Sequence, residues 1–263
     1  METLENTLVI ISGASRGIGK AFLNHYSQQP NTNCIGLTRS KNTNQQYAQL
    51  DLLQTNKVKE FVNHLNLTDV DKVIYMHSIG IDKFEPNGKP HIDTDNDGID
   101  DEVYSSNVTA FKNLAEPLMD RIYSKRLPLT IINIGSLSDM FEVPFWQSFS
   151  KSKNQVRQYM KANSNEKIKG VMLNVSSTLD EEGRKYGRPF ADTTYWQKAE
   201  DLVSKSVKFI DGHEPGVGYI EADFFNPSPF YRPDYFTNHA RLYKIWQKDM
   251  GFEGKEIPHG IRI

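Results

Sequence analysis

Residues 8–19 read LVIISGASRGIG, and they combine two sequence patterns that together indicate a fold. Its first half is a short apolar run rich in β-branched residues, which predicts a buried strand. Its second half is a glycine-rich loop, and a helical pattern begins at Gly17. Glycines allow a tight turn there and let backbone amides approach a phosphate closely. The stretch therefore predicts that a dinucleotide pyrophosphate binds at the N-terminus of the first helix, although glycines can also serve only to turn the chain.

The rest of the sequence alternates short β-branched runs with longer segments of helical periodicity. Strands are predicted at Leu8–Ser12, Asn33–Leu37, Tyr47–Asp51, Lys72–His77, Leu129–Ile134, Lys169–Val175 and Gly218–Phe224. Helices are predicted at Gly17–Gln28, Thr55–Leu65, Asp101–Lys125, Ser148–Ala162 and Tyr195–Ile210. This alternation predicts an α/β fold, a single-domain, Rossmann-type, doubly wound parallel sheet of about seven strands with helices on both faces.

Two segments fit the alternation poorly. The stretch from Phe84 to Asp101 is rich in Pro, Asn, Gly and Asp, and it predicts a loop. Residues 226–263 combine many aromatic side chains with several prolines, and within them a helix is predicted at Thr237–Met250, closed by Gly251. We therefore expect a dinucleotide-binding domain at residues 1–225 and an aromatic-rich C-terminal extension at residues 226–263, packed on the same domain.

Composition limits the classes of partner. A net charge of −2 over 263 residues gives no overall basic surface for nucleic acid or anionic lipid, so neither partner is expected. The apolar run after Thr7 is too short for a signal sequence or a membrane span. Cys34 is the only cysteine, so no internal disulfide can form, and a cytoplasmic location is expected.

The glycine loop resembles that of the short-chain dehydrogenase/reductase family, which reads Thr-Gly-x-x-x-Gly-x-Gly. Here Ser12 stands in the place of the threonine. The resemblance implies a nicotinamide dinucleotide as cofactor and a small-molecule carbonyl or alcohol as substrate. It also implies a homodimer or homotetramer. The cofactor contacts that it implies in this loop are Gly13, Ser15, Arg16, Gly17, Ile18 and Gly19.

The end of the second predicted strand indicates which nicotinamide cofactor is preferred. Arg39 follows that strand, where the adenosine ribose is expected, and an arginine complements a 2′-phosphate by charge and bidentate geometry. NADP(H) is therefore favoured over NAD(H), unless Arg39 is an ordinary solvated arginine. Arg16 adds positive charge at the same place in the family resemblance.

Three further cofactor contacts follow from the resemblance. Asp51 and Leu52 match the family position whose aspartate contacts the adenine amino group, although Asp51 fits a turn or helix cap nearly as well. Gly80 is the residue that remains of the family's Asn-Asn-Ala-Gly stretch. Backbone contact with the cofactor is therefore expected at Gly80.

The family's catalytic residues are a serine, a tyrosine and a lysine, supported by an asparagine. Ser136 and Asn107 match the serine and the asparagine, and Lys153 matches the lysine. The tyrosine is expected thirteen residues after the serine and four before the lysine, and the residue there is Phe149. Positions 149 and 153 share one helix face, which argues against a slipped alignment.

Phenylalanine at position 149 would remove the proton donor but keep the shape of the side chain. Loss of a general acid typically costs roughly 10²–10⁴-fold in rate, whereas cofactor binding should survive. The sequence leaves three explanations open: a variant made to trap a substrate complex, an enzyme with another proton donor, and a non-catalytic NADP(H)-binding regulatory or scaffolding protein. The expected function is an NADP(H)-dependent short-chain oxidoreductase whose proton-donor step is disabled or altered.

Two other groups of residues are noteworthy. Residues 93–98 read DTDNDG, like the first half of a calcium loop, but Tyr104 stands at the twelfth position in place of glutamate. Because aspartates also favour helix starts, a structural acidic loop is preferred and no metal site is expected. Candidates to line the substrate pocket are Arg184, Tyr186, Arg188, Phe190, Tyr195 and Trp196, a mixture suited to a planar or anionic substrate. For the tail aromatics, a subunit contact or a satellite core is preferred to a pocket wall.

Overall fold

The computed structural model of the chain describes residues 5–41, 44–141, 143–179, 187–213, 218–225 and 236–262. Seven strands form one parallel sheet in the order β3-β2-β1-β4-β5-β6-β9, which confirms the predicted Rossmann-type fold. The strands are β1 (Thr7–Ser12), β2 (Thr32–Thr38), β3 (Tyr47–Gln49), β4 (Lys72–His77), β5 (Leu129–Ser136), β6 (Ile168–Val175) and β9 (Tyr219–Phe224). A separate pair is formed by β7 (Thr178–Leu179) and β8 (Gln197–Lys198).

The helices cover both faces of the sheet. They are α1 (Gly17–Tyr26), α2 (Thr55–His64), α3 (Asp101–Tyr104), α4 (Ala110–Lys125), α5 (Leu137–Met140), α6 (Gln147–Asn163), α7 (Ala199–Asp211) and α8 (His239–Met250). Strand β1 shows the two faces directly, because Leu8 and Ile10 pack with α2, α4 and α6 while Val9 and Ile11 pack with α1 and α7. The sheet is therefore buried on both sides, as an all-parallel sheet requires.

The strand order reverses between β1 and β4, the place where ligands bind in open parallel sheets. Ser12 at the end of β1 is in register with Leu37 of β2 and His77 of β4, so the three strands end together. The loops that follow them carry the glycine loop, Arg39 and Gly80. Their meeting at one edge places these predicted residues around a common crevice.

The predicted helix over Asp101–Lys125 is interrupted by one π-helical turn at Ser105–Thr109, which lies between α3 and α4. Asp100 caps its start, since its side chain accepts hydrogen bonds from the N–H groups of Glu102 and Val103. Single π turns inside helices are often found at functional sites. This one contains Asn107.

Several predicted boundaries differ from the structure by one or more residues, and two of these differences have a clear physical reason. Strand β3 ends at Gln49 because Asp51 belongs to the turn that leads to α2, where its backbone carbonyl accepts from Gln54 N–H. Helix α7 begins at Ala199 and not at Tyr195, since Gln197 and Lys198 pair with β7. That pairing joins segments far apart in the sequence, and a local pattern carries no sign of it.

The end of the chain packs on the sheet domain through a satellite core. Its buried residues are Phe84, Val143, Phe145, Trp146, Leu242, Trp246, Met250 and Ile257, with Phe236, Tyr243 and Phe252 packed against them. The preferred interpretation of these tail aromatics as a satellite core therefore agrees with the structure, whereas Phe230, Tyr231 and Tyr235 lie outside the described residues. The division at residue 225 stays a prediction. Across the described ranges, none of the helices has the length and apolar character to cross a bilayer.

Candidate active site

A cleft of about 1170 Å³ lies at the carboxyl edge of the sheet. Its walls include the ends of β1, β2, β5 and β6 and the loops that follow them. Of the predicted site residues, it is lined by Gly13, Ser15, Arg16, Gly17, Ile18, Arg39, Asp51, Leu52, Gly80, Ser136, Phe149 and Lys153. The fold thus brings most of the proposed cofactor and catalytic positions to one place.

The glycine loop has the shape that a pyrophosphate requires. Gly13 and Gly17 adopt the left-handed backbone conformation, with φ of +71° and +56°. A Cβ at Gly17 would meet nothing within 4 Å, so the loop leaves open space in front of the first turn of α1. That turn contains no acidic residue and Arg16 does not cap it with its side chain, so its amides can face an anion. The loop therefore fits a nicotinamide dinucleotide.

Gly19 does not line the cleft, although the family resemblance implies that it contacts the cofactor. A Cβ at Gly19 would lie 2.4 Å from the carbonyl oxygen of Gly13, which is far inside van der Waals contact. Its lack of a side chain allows α1 to pack against the loop. Gly19 therefore shapes the phosphate site from behind.

The expected adenosine end of the cleft contains Arg39, Asp51 and Leu52. Arg39 is exposed directly after β2, and its carbonyl accepts a hydrogen bond of 3.0 Å from the Gln49 side chain. The Asp51 carboxylate accepts from Leu53 N–H at 3.1 Å, so this residue holds a turn while it lines the cleft. Both of the roles weighed for Asp51 are thus compatible with its position.

Lys153 lies deep in the cleft, with only 3% of its surface exposed. Its Nζ lies 3.4 Å from the Ile79 carbonyl oxygen and 5.4 Å from the centre of the Phe149 ring. A Cβ at Gly80 would lie 3.5 Å from this Nζ and 3.6 Å from the Phe149 ring, which are ordinary van der Waals distances, so Gly80 is a direct neighbour of both side chains. Burial lowers the pKa of Lys153 to about 8, against the opposing charges of Asp139 and Asp82.

Ser136 ends β5 and begins α5. Its hydroxyl oxygen accepts hydrogen bonds from the N–H of Ser138 at 3.1 Å and from the Ser138 hydroxyl at 3.0 Å. Because the oxygen is an acceptor in both bonds, its own proton stays available to a ligand oxygen in the cleft. Ser136 can therefore donate a hydrogen bond to a carbonyl.

Asn107 is not among the residues that line the cleft, and support of a proton-relay water, the role that the family resemblance implies for this asparagine, stays a prediction. Its side chain accepts from the N–H of Ile81 at 2.8 Å and donates to the Ile81 carbonyl at 3.0 Å and to the Ser152 hydroxyl at 2.9 Å. Ser152 in turn donates to the Phe149 carbonyl at 2.7 Å. Asn107 therefore fixes the loop after β4 against α6.

A family model described as short chain dehydrogenase matches residues 7–178. The chain belongs to the short-chain dehydrogenase family. No curated protein sequence gives a significant match.

Solved structures of this family share the fold at low identity. A short chain dehydrogenase from Burkholderia cenocepacia in complex with NADP is 15% identical and covers 90% of this chain and 98% of its own, with a TM-score of 0.64. A 4-hydroxyisoleucine dehydrogenase complexed with NADH is 19% identical over 83% of this chain and 97% of its own, with a TM-score of 0.60. A tyrosine-to-phenylalanine variant of ElxO with NADPH bound is 14% identical over 89% and 100%, with a TM-score of 0.61.

This short-chain dehydrogenase has a carboxyl group in the cleft that the sequence analysis missed. Asp82 is half-buried and lines the cleft two residues beyond Gly80. Burial raises the pKa of Asp82 to about 6, although Arg188, Lys153 and Arg262 oppose the shift with their charges. Its place just after the carboxyl end of β4 was a signal that could have found it, since loops at that edge meet the ligand.

The far end of the cleft contains part of the predicted substrate pocket. Arg188, Tyr195 and Trp196 line it, and the Arg188 guanidinium lies 4.6 Å from the centre of the Trp196 ring. Phe190 is not among the lining residues, since 65% of its surface is exposed and its ring lies beside Gly251. Arg184 and Tyr186 lie outside the described residues. Arg262, which also lines the cleft, was not predicted from the sequence.

The acidic loop binds its own backbone. The Asp93 carboxylate accepts from the N–H groups of Asp97 and Gly98, and the Asp101 carboxylate accepts from the N–H and hydroxyl of Thr94. Oxygens of Asp93, Asp95 and Asp101 lie within 4.8 Å of one another. These hydrogen bonds give the carboxylates a role in holding the turn, and the absence of a metal site stays a prediction.

Proposed function

We propose that this chain is an NADP(H)-dependent oxidoreductase that acts on a carbonyl or alcohol substrate, with its proton-donor step altered at Phe149. The observation that carries the proposal is that three functional groups line one cleft. The cleft holds an open helix N-terminus beside the glycine loop, the buried cation of Lys153 and the hydroxyl of Ser136. Family membership supports the same chemistry.

Each residue has a distinct part in the proposal. The amides that begin α1 bind the pyrophosphate, and Arg39 with Arg16 neutralises the 2′-phosphate of NADP(H). Lys153 donates to the nicotinamide ribose, and Ser136 donates to the substrate oxygen. When bound, the cofactor supplies or accepts a hydride.

Phe149 cannot hold or give a proton, so a second candidate is a protein that binds NADP(H) without reacting. The ElxO variant supports the idea that a short-chain dehydrogenase fold with a tyrosine-to-phenylalanine change holds NADPH. A homodimer or homotetramer and a cytoplasmic location stay predictions.

Calorimetric titration tests the cofactor. We expect NADPH to bind at least about tenfold more tightly than NADH, because a charge-assisted pair with Arg39 is worth about 1.5–3 kcal/mol. Arg39→Ala should remove this preference, whereas Arg241→Ala, at an exposed position on α8, should leave it. Failure to bind either dinucleotide would contradict the proposal.

Oxidation of NADPH in the presence of a panel of aldehydes, ketones and α-keto esters separates the two candidates. The assay is run on the wild-type chain and on Phe149→Tyr. Turnover in either protein supports the oxidoreductase. Binding without turnover in both supports the second candidate.

A further inference from the structure

The residues before and after Asp82 are both fixed in place, one by hydrogen bonds and the other by ion pairs. Asn107 fixes the N–H and the carbonyl of Ile81, the residue before it. The ammonium of Lys83, the residue after it, lies 2.9 Å from a carboxylate oxygen of Asp100 and 2.9 Å from one of Glu102. A carboxyl group placed in this way has little freedom to leave the cleft.

The same loop is anchored to the start of α6, which carries Phe149. Glu85 accepts from the N–H of Ser148 at 2.9 Å and also from the Ser148 hydroxyl, which in turn accepts from the N–H of Asp100 at 2.8 Å. Gly80 lies against both the Phe149 ring and Lys153. Asp82 and Phe149 therefore line the same cleft, on elements that are bonded to each other.

Charge distinguishes Asp82 from an ordinary surface carboxylate. Within the described part of the chain, no side chain donates a hydrogen bond to it, and the charged groups that act on it are Lys153 of α6, Arg188 and Arg262. The coupling is mutual, because Asp82 raises the pKa of Lys153. Burial outweighs the three cations and brings the pKa of Asp82 to about 6, a value suited to exchanging protons near neutral pH.

We propose that Asp82 is the catalytic acid of this chain and does the work of the phenol that Phe149 lacks. The proposal rests on the proposed function, since it needs a bound nicotinamide as hydride donor. In reduction, a C–H bond of the dihydronicotinamide would break and its hydride would bond to the carbonyl carbon, so that the nicotinamide is oxidised, the carbonyl is reduced and the π electron pair moves to the oxygen. The O–H bond of Asp82 breaks and a new O–H bond forms on the substrate, which gives the alcohol. The carboxylate regains a proton from water at the open side of the cleft, and oxidation runs in reverse.

The first experiment measures the pKa of the Asp82 carboxyl group in the absence of turnover. The chain is labelled with ¹³C at the aspartate carboxyl groups, and the resonance lost in Asp82→Asn is followed from pH 3 to 9 with and without NADPH. We expect it to titrate near pH 6, well above the ordinary aspartate value near 4. Titration near pH 4 in both states would overturn the proposal.

The second experiment measures reduction of the same carbonyl panel by NADPH. Asp82→Asn should lower the rate by roughly 10²–10⁴-fold, while the dissociation constant for NADPH, measured by calorimetry, changes less than about threefold. The wild-type rate should fall as the pH rises through about 6, because the carboxyl group then loses its proton. Asp120→Asn, at an exposed position of α4, is the matched control.

A double-mutant comparison separates proton donation from a structural role. In the Phe149→Tyr background a phenol is present again, so Asp82→Asn should cost less than about tenfold. Equal losses in both backgrounds would assign Asp82 a positioning role and overturn the proposal. Retained activity in Asp82→Asn, with a pH profile governed by a group near pH 8, would identify Lys153 as the donor instead. Failure of the wild-type chain to bind NADPH would refute the proposed function itself.

Discussion

Lys153 is a buried cation whose charge opposes folding. Its pKa falls from the ordinary 10.5 to about 8 because burial penalises the ammonium more than Asp139 and Asp82 favour it. The unfolded chain therefore holds this proton more tightly than the folded chain, and at pH 7 the difference amounts to about 3 kcal/mol against folding. A site that needs a cation next to the cofactor thus has a cost in stability.

We expect Lys153→Met to stabilise the protein without ligand by about 1–3 kcal/mol at pH 7. The lysine lowers stability most below pH 8, and this effect disappears as the pH rises from about 8 to 10.5, where the unfolded state also loses the proton. The gain of the variant should therefore shrink over that range. Urea unfolding at pH 7 and pH 10 measures it, with Lys59→Met, an exposed helix position, as control. A variant less stable than the parent at pH 7 would show that the charge is well solvated.

At the scale of elements, local patterns were predictable and long-range contacts were not. Strand β1, the glycine loop and α1 were predicted from patterns within a short run of adjacent residues. The doubly wound parallel sheet was predicted from the alternation of strands and helices and the general rules of parallel sheets. The positions of Ser136, Phe149 and Lys153 came from the family resemblance, whose serine, tyrosine and lysine have the same spacing. Asp82 was missed because the charged groups that act on it, Lys153, Arg188 and Arg262, lie far from it in the sequence. The start of α7 was misplaced for the same reason.

The loop between β4 and α3 is held by a buried ion pair, and its strength can be tested. Burial raises the pKa of Asp100, but the Lys83 ammonium and backbone N–H groups outweigh burial and lower it overall. We expect Asp100→Asn to cost about 1–3 kcal/mol at pH 7, since asparagine keeps the cap but leaves Lys83 without its buried partner. Glu102→Gln removes the half-exposed partner and should cost less than about 1 kcal/mol.

The pH dependence of Asp100→Asn has a definite sign. A carboxylate whose pKa is lowered by folding stabilises the protein above the ordinary value near 4, and this contribution is lost as the pH falls through the folded-state pKa. Parent and variant should therefore differ most at neutral pH and converge only after the pH has fallen below the ordinary aspartate value and through the lower pKa of Asp100 in the folded state. Acid unfolding followed by circular dichroism compares them. A difference in stability that does not shrink at acid pH would mean that the cap, and not the charge, is what the variant lost.

At the scale of the whole molecule, the two ends of the cleft are built by different parts of the chain. The sheet and the glycine loop form the cofactor end, whereas α8 and the loop before α6 form a wall of the other end. Trp246 joins α8 to the loop before α6, because its ring centre lies 4.8 Å from that of Trp146 and 5.3 Å from that of Phe145. Helix α8 therefore stabilises the segment that leads to Phe149 and Lys153.

We expect Trp246→Ala to lower stability by about 3–5 kcal/mol, since it leaves a cavity beside the rings of Phe84, Phe145 and Trp146. NADPH affinity should change less than about threefold, because the residues proposed to bind its phosphates lie on other elements. The Michaelis constant for a carbonyl substrate should rise, as the wall beside Phe149 loosens. Thermal unfolding and calorimetry measure the first two effects, with Lys244→Ala, at an exposed position on the same helix, as control. A large loss of NADPH affinity at a temperature where the variant is folded would show that the two ends of the cleft are coupled, and that α8 sets the geometry of the cofactor site as well.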